Sequence, residues 1–325
     1  MKEKIITTIE HEEIKFDGKL IFDANLGCVK IKGCVEADLI VIKPGTNIRS
    51  DGNIRSGGDI YSGGDIYSGG DIWSSGDIRS SGYIWSGGDI WSSGYIRSSG
   101  YIRSGGDIQS DGYIWSGGDI WSSGYIWSDG DIYSGGYIWS GGDIWSSGDI
   151  WSDGDIRSGG DIRSSGYIRS GGDIQSDGDI RSGGYIWSGG DIWSGGDIWS
   201  SGDIWSDGYI RSGGYIRSGG YIRSSGDIWF NYYISFKTKI TCKLLRISTH
   251  DNFERSFWIE KYILFGFKKM AEMIKSDCAI ELLPKHQSLS PKFKKKLLAC
   301  KYWTNTERMV IKSWLDGGLK DYEIK

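Results

Sequence analysis

The chain has 325 residues, among them 52 Gly, 17 Trp and 19 Tyr but only 3 Pro, which is not the composition of an ordinary globular enzyme. A formal charge of −4 conceals three unlike segments: 7 basic and 8 acidic groups in residues 1–46, 12 and 24 in 47–229, and 19 and 10 in 230–325. The acidic middle excludes nucleic acid as its partner, while the basic tail is suited to phosphate or an acidic partner.

Residues 1–46 read as a lead-in of strands. Their opening, MKEKIITTIEHEEIKF, has no uninterrupted apolar run and is too acidic for a secretory signal. Five cysteines (Cys28, Cys34, Cys242, Cys278, Cys300), odd in number and without a CxxC pair, fit a reducing compartment better than a disulfide scaffold. The expectation is a soluble cytoplasmic protein; a virion component leaving the cell by another route would read the same way.

From Ile48 to Ile228 an isoleucine recurs every six residues without a slip, 31 times, and Ile234 and Ile240 keep step. The phrase is [D/Y/N]-I-[W/R/Y/Q]-S-[G/S/D]-G. Self-similarity at a fixed period marks a solenoid. A period of six does not fit a helix, and Gly and Ser this dense would melt one. In an extended chain Ile points inward and its neighbours outward. The S-x-G that follows is turn chemistry, with Gly expected at positive φ at a corner. Three such sides predict an all-β solenoid, a triangular parallel β-helix of about 18 residues per coil; two would give a flattened coil of about 12. A disordered Gly/Ser linker does not hold an aliphatic residue at fixed period.

The approach to the array, VKIKGCVEADLIVIKPGTNIRSDGNIRSGGDI (Val29 to Ile60), resembles the bactofilins, polymer-forming bacterial cytoskeletal proteins. Their coils carry a similar Ile-x-Gly-x-Val-x-Ala run and many Gly-Asp-Ile steps, matched at Ile31, Gly33, Val35 and Ala37 and at Gly58-Asp59-Ile60. The resemblance covers residues from about 26 to 230. It implies a right-handed triangular β-solenoid and non-enzymatic assembly without nucleotide. Hexapeptide acyltransferases, with a left-handed β-helix, need a catalytic His on the coils. His11, His250 and His286 all lie outside the array.

Gly-Gly-Asp steps invite a calcium reading, but Tyr replaces Asp in 11 of the 31 phrases, so a metal ladder would be full of holes. Solvated carboxylates are the better account, and no catalytic, cofactor or metal site is expected. The aromatic column is the richest candidate surface. Trp139, Trp145 and Trp151, and then Trp187, Trp193, Trp199 and Trp205, form bands on a triangular coil, with Arg157, Arg163 and Arg169 in a neighbouring band. These rings and guanidinium planes either stack on one another or offer a surface to a second copy, another protein or a polysaccharide.

The tail from residue 236 reads as a helical cap or partner-binding region. It carries Asp251-x-x-Glu254, Ser290-Pro291 and Thr304-x-x-Glu307 as helix starts, and a basic cluster at Lys292, Lys294, Lys295 and Lys296. Its most apolar stretch, FWIEKYILFGF, is short and interrupted by Glu260 and Lys261, so it does not span a bilayer. The expected organisation is a lead-in over 1–46, the solenoid over 47–235 and the helical region over 236–325. The expected role is a non-enzymatic scaffold, spacer or filament subunit, with a binding module or adhesin fibre as the alternative.

Overall fold

The computed structural model describes residues 1–230, 234–235, 240–242, 244–248 and 254–258. It is an all-β parallel solenoid. The chain divides into two compact units, Met1–Gly184 and Tyr185–Lys325. The helical region expected from residue 236 otherwise lies outside the described residues.

In the first unit six longer strands precede the repeats: β1 (Glu3–Ile6), β2 (Glu10–His11), β3 (Ile14–Phe22), β4 (Gly27–Ile31), β5 (Val35–Ile42) and β6 (Thr46–Ser50). β3 serves two sides of a coil. Its first part pairs with Val35–Ala37 and its second with Leu39–Ile42, with a register break between Phe16 and Lys19. Gly18 sits at that break with φ 146°, where a Cβ would strike the Lys2 carbonyl. Thr46 closes the neighbouring corner, donating its hydroxyl to Asp23 O at 2.6 Å and accepting the Leu26 N–H at 3.0 Å.

Every later strand is one Ile-x-Ser tripeptide, from Ile54–Ser56 to Ile180–Ser182 in this unit. Within the unit they pair in parallel with the strand 18 residues on: Ile72 with Ile90, Ile78 with Ile96, Ile84 with Ile102. Three phrases therefore make one coil with three sides, and the 12-residue coil is excluded. The array isoleucines are essentially unexposed, each worth roughly 1.5–3 kcal/mol of apolar burial before ordering costs.

The fixed serine has a larger part than turn chemistry. It is buried beside the isoleucine, with only the middle residue of each tripeptide facing outward. Ser74 Oγ donates to Gly58 O on the preceding coil at 2.6 Å and accepts the Gly76 N–H at 3.2 Å. The same pattern recurs at Ser104 with Gly88 O and Gly106 N–H. Corner amides also bond from coil to coil, as Ser75 N–H to Ser56 O at 3.1 Å. The corner's polar groups are thus satisfied inside the wall.

The fixed glycine corrects the sequence reading. Among the described residues the positive-φ glycines are Gly18, Gly27 and Gly45, all before the repeats. The array glycine is required for space. Asp59 Oδ1 accepts the Asp77 N–H at 2.8 Å and thereby occupies the place of a Cβ on Gly76. Asn47 and Asn53 make the same bond to Asp65 and Asp71, both at 2.8 Å, so the bond uses the acceptor oxygen and not the charge; where Tyr stands instead, its ring takes the same space, as Tyr83 does at Gly100.

The second unit repeats the plan. Its ladders run Ile186–Ile204–Ile222–Ile240, Ile198–Ile216–Ile234 and Ile192–Ile210–Ile228. The phase then slips, because Ile228 faces Leu245, one residue short of a full coil. Glu254–Trp258 pairs antiparallel with Leu244–Ser248. Glu254, the last residue of a pattern read as a helix start, begins this strand, and Asp251 lies outside the described residues.

Candidate interaction surface

The outward residue of each tripeptide meets its counterpart one coil away, so side chains 18 residues apart form columns. One column in the first unit reads Arg55, Trp73, Trp91, Gln109, Trp127, Trp145, Arg163 and Arg181. A second contains Arg97, Trp115, Tyr133, Trp151 and Arg169. A third contains Trp85, Arg103, Trp121, Trp139 and Arg157.

Within these columns the rings lie on one another. Trp73–Trp91, Trp121–Trp139 and Trp127–Trp145 are stacked with centroids 5.1, 5.0 and 5.2 Å apart. Trp115 stacks on Tyr133, which meets Trp151 edge-on at 4.4 Å. Guanidinium groups continue the columns, Arg103 over Trp121 at 4.5 Å and Arg169 over Trp151 at 5.4 Å. Each aromatic pair adds about 0.5–1.5 kcal/mol beyond its burial, and each exposed cation–π contact about 0.5–1 kcal/mol.

The sequence-predicted residues fall into this pattern. Trp139, Trp145 and Trp151 encircle one coil and Arg157, Arg163 and Arg169 the next, each Trp facing one Arg in register. In the second unit Trp187 faces Trp205, Trp193 faces Arg211 and Trp199 faces Arg217. Arg157 and Arg163 also pair with Asp155 and Asp161 across the intervening isoleucine.

Asp161 and Asp77 shift in opposite directions. Burial pushes Asp161 upward, but the Asp179 N–H and the Arg163 guanidinium outweigh it and hold its carboxyl below the ordinary value. Asp77 is raised, first by burial and then by the Asp59 charge on the preceding coil, with Arg79 only partly compensating. Cys242, buried beyond the last array strand, has its thiol pushed up to about 12 by burial.

Two open grooves follow the wall. One, of about 780 Å³, includes Trp73, Trp91, Asp71, Asp89 and Asp107; another, of about 610 Å³, includes Trp121, Trp139, Tyr137 and Asp155. Among the described residues no group of three or more His, Cys, Asp or Glu side chains is placed to hold a metal.

Sequence reasoning missed a second set of columns, one residue before each isoleucine. There Tyr83 stacks on Tyr101 and Tyr95 on Tyr113. Their 18-residue spacing was the available signal. The chain matches no protein-family model, no curated protein and no solved structure.

Proposed function

We propose that the chain is a non-enzymatic structural solenoid, a scaffold, spacer or filament subunit acting in the cytoplasm. The observation that carries this reading is the self-pairing of the outer columns. Trp121, for example, has Arg103 on one face and Trp139 on the other, so the wall's most adhesive groups are engaged in holding coil to coil. The interior of the array is isoleucine and hydrogen-bonded serine, a uniform packing. The bactofilin resemblance supports the same reading, and Val35 and Ala37 of its motif are buried in β5.

The N-terminal rung supports end-on assembly. Among the described residues, the outer edges of Glu3–Ile6 and Glu10–His11 carry no strand, and Ile5 and Ile9 beside them are 55% and 52% exposed. Unpaired parallel strand edges template further pairing. Sedimentation and negative-stain microscopy over a concentration series test this. Oligomers or filaments are expected, weakened by Ile5→Lys with Ile9→Lys. A chain that stays monomeric throughout and recruits no partner would overturn the reading.

The grooves favour a second reading, a binding module for a polysaccharide or protein. Stacking leaves mainly ring edges outward, so a glycan would meet the groove walls at Trp139 and Tyr137. Glycan-array binding that Trp139→Ala abolishes, while lowering Tm by no more than the loss of one ring stack, would favour it.

A further inference from the structure

The array from residue 47 to 229 contains no cysteine, so no disulfide can join its coils. It does hold phenols in close register. Tyr83 and Tyr101 are stacked with centroids 5.2 Å apart and planes within 3°; Tyr95 and Tyr113 are 4.6 Å apart and within 6°. Both are Tyr-on-Tyr stacks in the columns one residue before the isoleucines. Tyr83, Tyr101 and Tyr113 are 41%, 49% and 39% exposed, so an oxidant in solvent reaches them. Their orientation is set by the wall: a Cβ on Gly100 would strike the Tyr83 ring, and one on Gly118 the Tyr101 ring.

We propose that these two pairs are preformed sites of oxidative dityrosine crosslinking, which staples adjacent coils. The co-reactant is hydrogen peroxide acting through a haem peroxidase. Each phenol gives up one electron and its hydroxyl proton to become a phenoxyl radical, whose spin extends to the ortho carbons. A bond forms between one ortho carbon of each ring. The hydrogen on each of those carbons then returns to its phenol oxygen as the ring regains aromaticity. Two tyrosines and one peroxide thus yield one biaryl and two waters. Parallel strands hold the two backbones about 4.8 Å apart, so tilting the solvent-exposed rings toward each other closes the gap. The stacked Trp pairs have no phenol and do not couple in this way.

The test is dilute full-length protein with peroxidase and peroxide, followed by tryptic mapping. Cleavage after Arg79, Arg97, Arg103 and Arg157 places Tyr83 and Tyr95 in peptide 80–97, Tyr101 in 98–103 and Tyr113 in 104–157. From these pairs two crosslinked products are expected, 80–97 with 98–103 and 80–97 with 104–157, each two hydrogens lighter than its parts. Tyr101→Phe should remove only the first and Tyr113→Phe only the second. Because register holds the reacting carbons together, yield at these pairs should exceed by at least about tenfold that of crosslinks to peptide 56–79, whose Tyr61 and Tyr67 face Arg79 and Trp85, and urea should erase the preference. Crosslinks that form only between molecules, that fall at random tyrosines, or that survive both variants would overturn the proposal, as would oxidation without any dityrosine.

Discussion

At Ile144 and Trp145 adjacent side chains do opposite work, one sealed between coils and the other stacked on Trp127 outside. Ile144→Asp places a carboxylate in the ladder and is expected to cost on the order of 4 kcal/mol or more. Trp145→Ser forfeits a stack and should cost about 1 kcal/mol. Equal losses of Tm would show the faces inverted. The aspartates allow a pH test. Asp161 has a depressed carboxyl value, so its ionised form stabilises the fold above the ordinary carboxyl value, and that contribution fades as pH falls through its own value. Asp77 has the opposite sign: its ionisation costs stability at neutral pH, and acid relieves the cost. Asn can keep either acceptor bond, as Asn47 does. Asp77→Asn should therefore raise Tm at neutral pH and Asp161→Asn lower it, with both differences vanishing in strong acid. Cys242, whose thiol is pushed up to about 12, should resist alkylation in the native protein while exposed Cys28 reacts.

One coil is the unit that can be added or removed. Deleting Ser146 to Arg163, one 18-residue repeat of the register, should leave a soluble, cooperatively melting protein with Arg181 brought against Trp145. Deleting only Ser146 to Arg157 keeps the Ile rhythm but turns everything downstream onto another face. Survival of the shorter deletion alone would contradict the three-sided coil. Circular dichroism melts and sedimentation distinguish the outcomes. At this scale the sequence was highly legible, because an unbroken Ile period and alternation of inward and outward residues leave little else to build. Three things were less legible. The glycine was read as a φ requirement, whereas Gly76 yields its Cβ space to the carboxyl of Asp59 on another coil. Ser74 was read as a turn residue, though its partner Gly58 is a coil away. The strand Glu254–Trp258 was hidden by a local capping pattern. The first two misses involve a partner a whole coil away, which a six-residue reading does not contain; the third pairs with Leu244–Ser248 close by in the chain. The Trp and Arg columns were recognised as candidates, but the pairing of each Trp with an Arg needed the 18-residue register.

Across the whole molecule, all 12 array arginines occupy the outward position and the 24 aspartates are never placed inward. Charge therefore sets how the wall meets its surroundings, while the interior stays uniform. That uniformity has a kinetic consequence. Rungs from Ile54 to Ile180 present the same isoleucine and serine, so a chain collapsing in its middle can join phrases a whole coil out of place and bury the same groups. The unlike rungs before the repeats carry the missing address: Leu20, Phe22 and Val29 fit one place, and Thr46 is pinned to Asp23 and Leu26. Folding is thus expected to nucleate there and wind forward coil by coil, in the order of synthesis, as a zipper with one starting tooth. Refolding of a chain lacking residues 1–46 should be slower and end in a mixture of registers, visible as several exponential phases and heterogeneous hydrogen exchange. The intact chain should refold to a single species from the same denaturant.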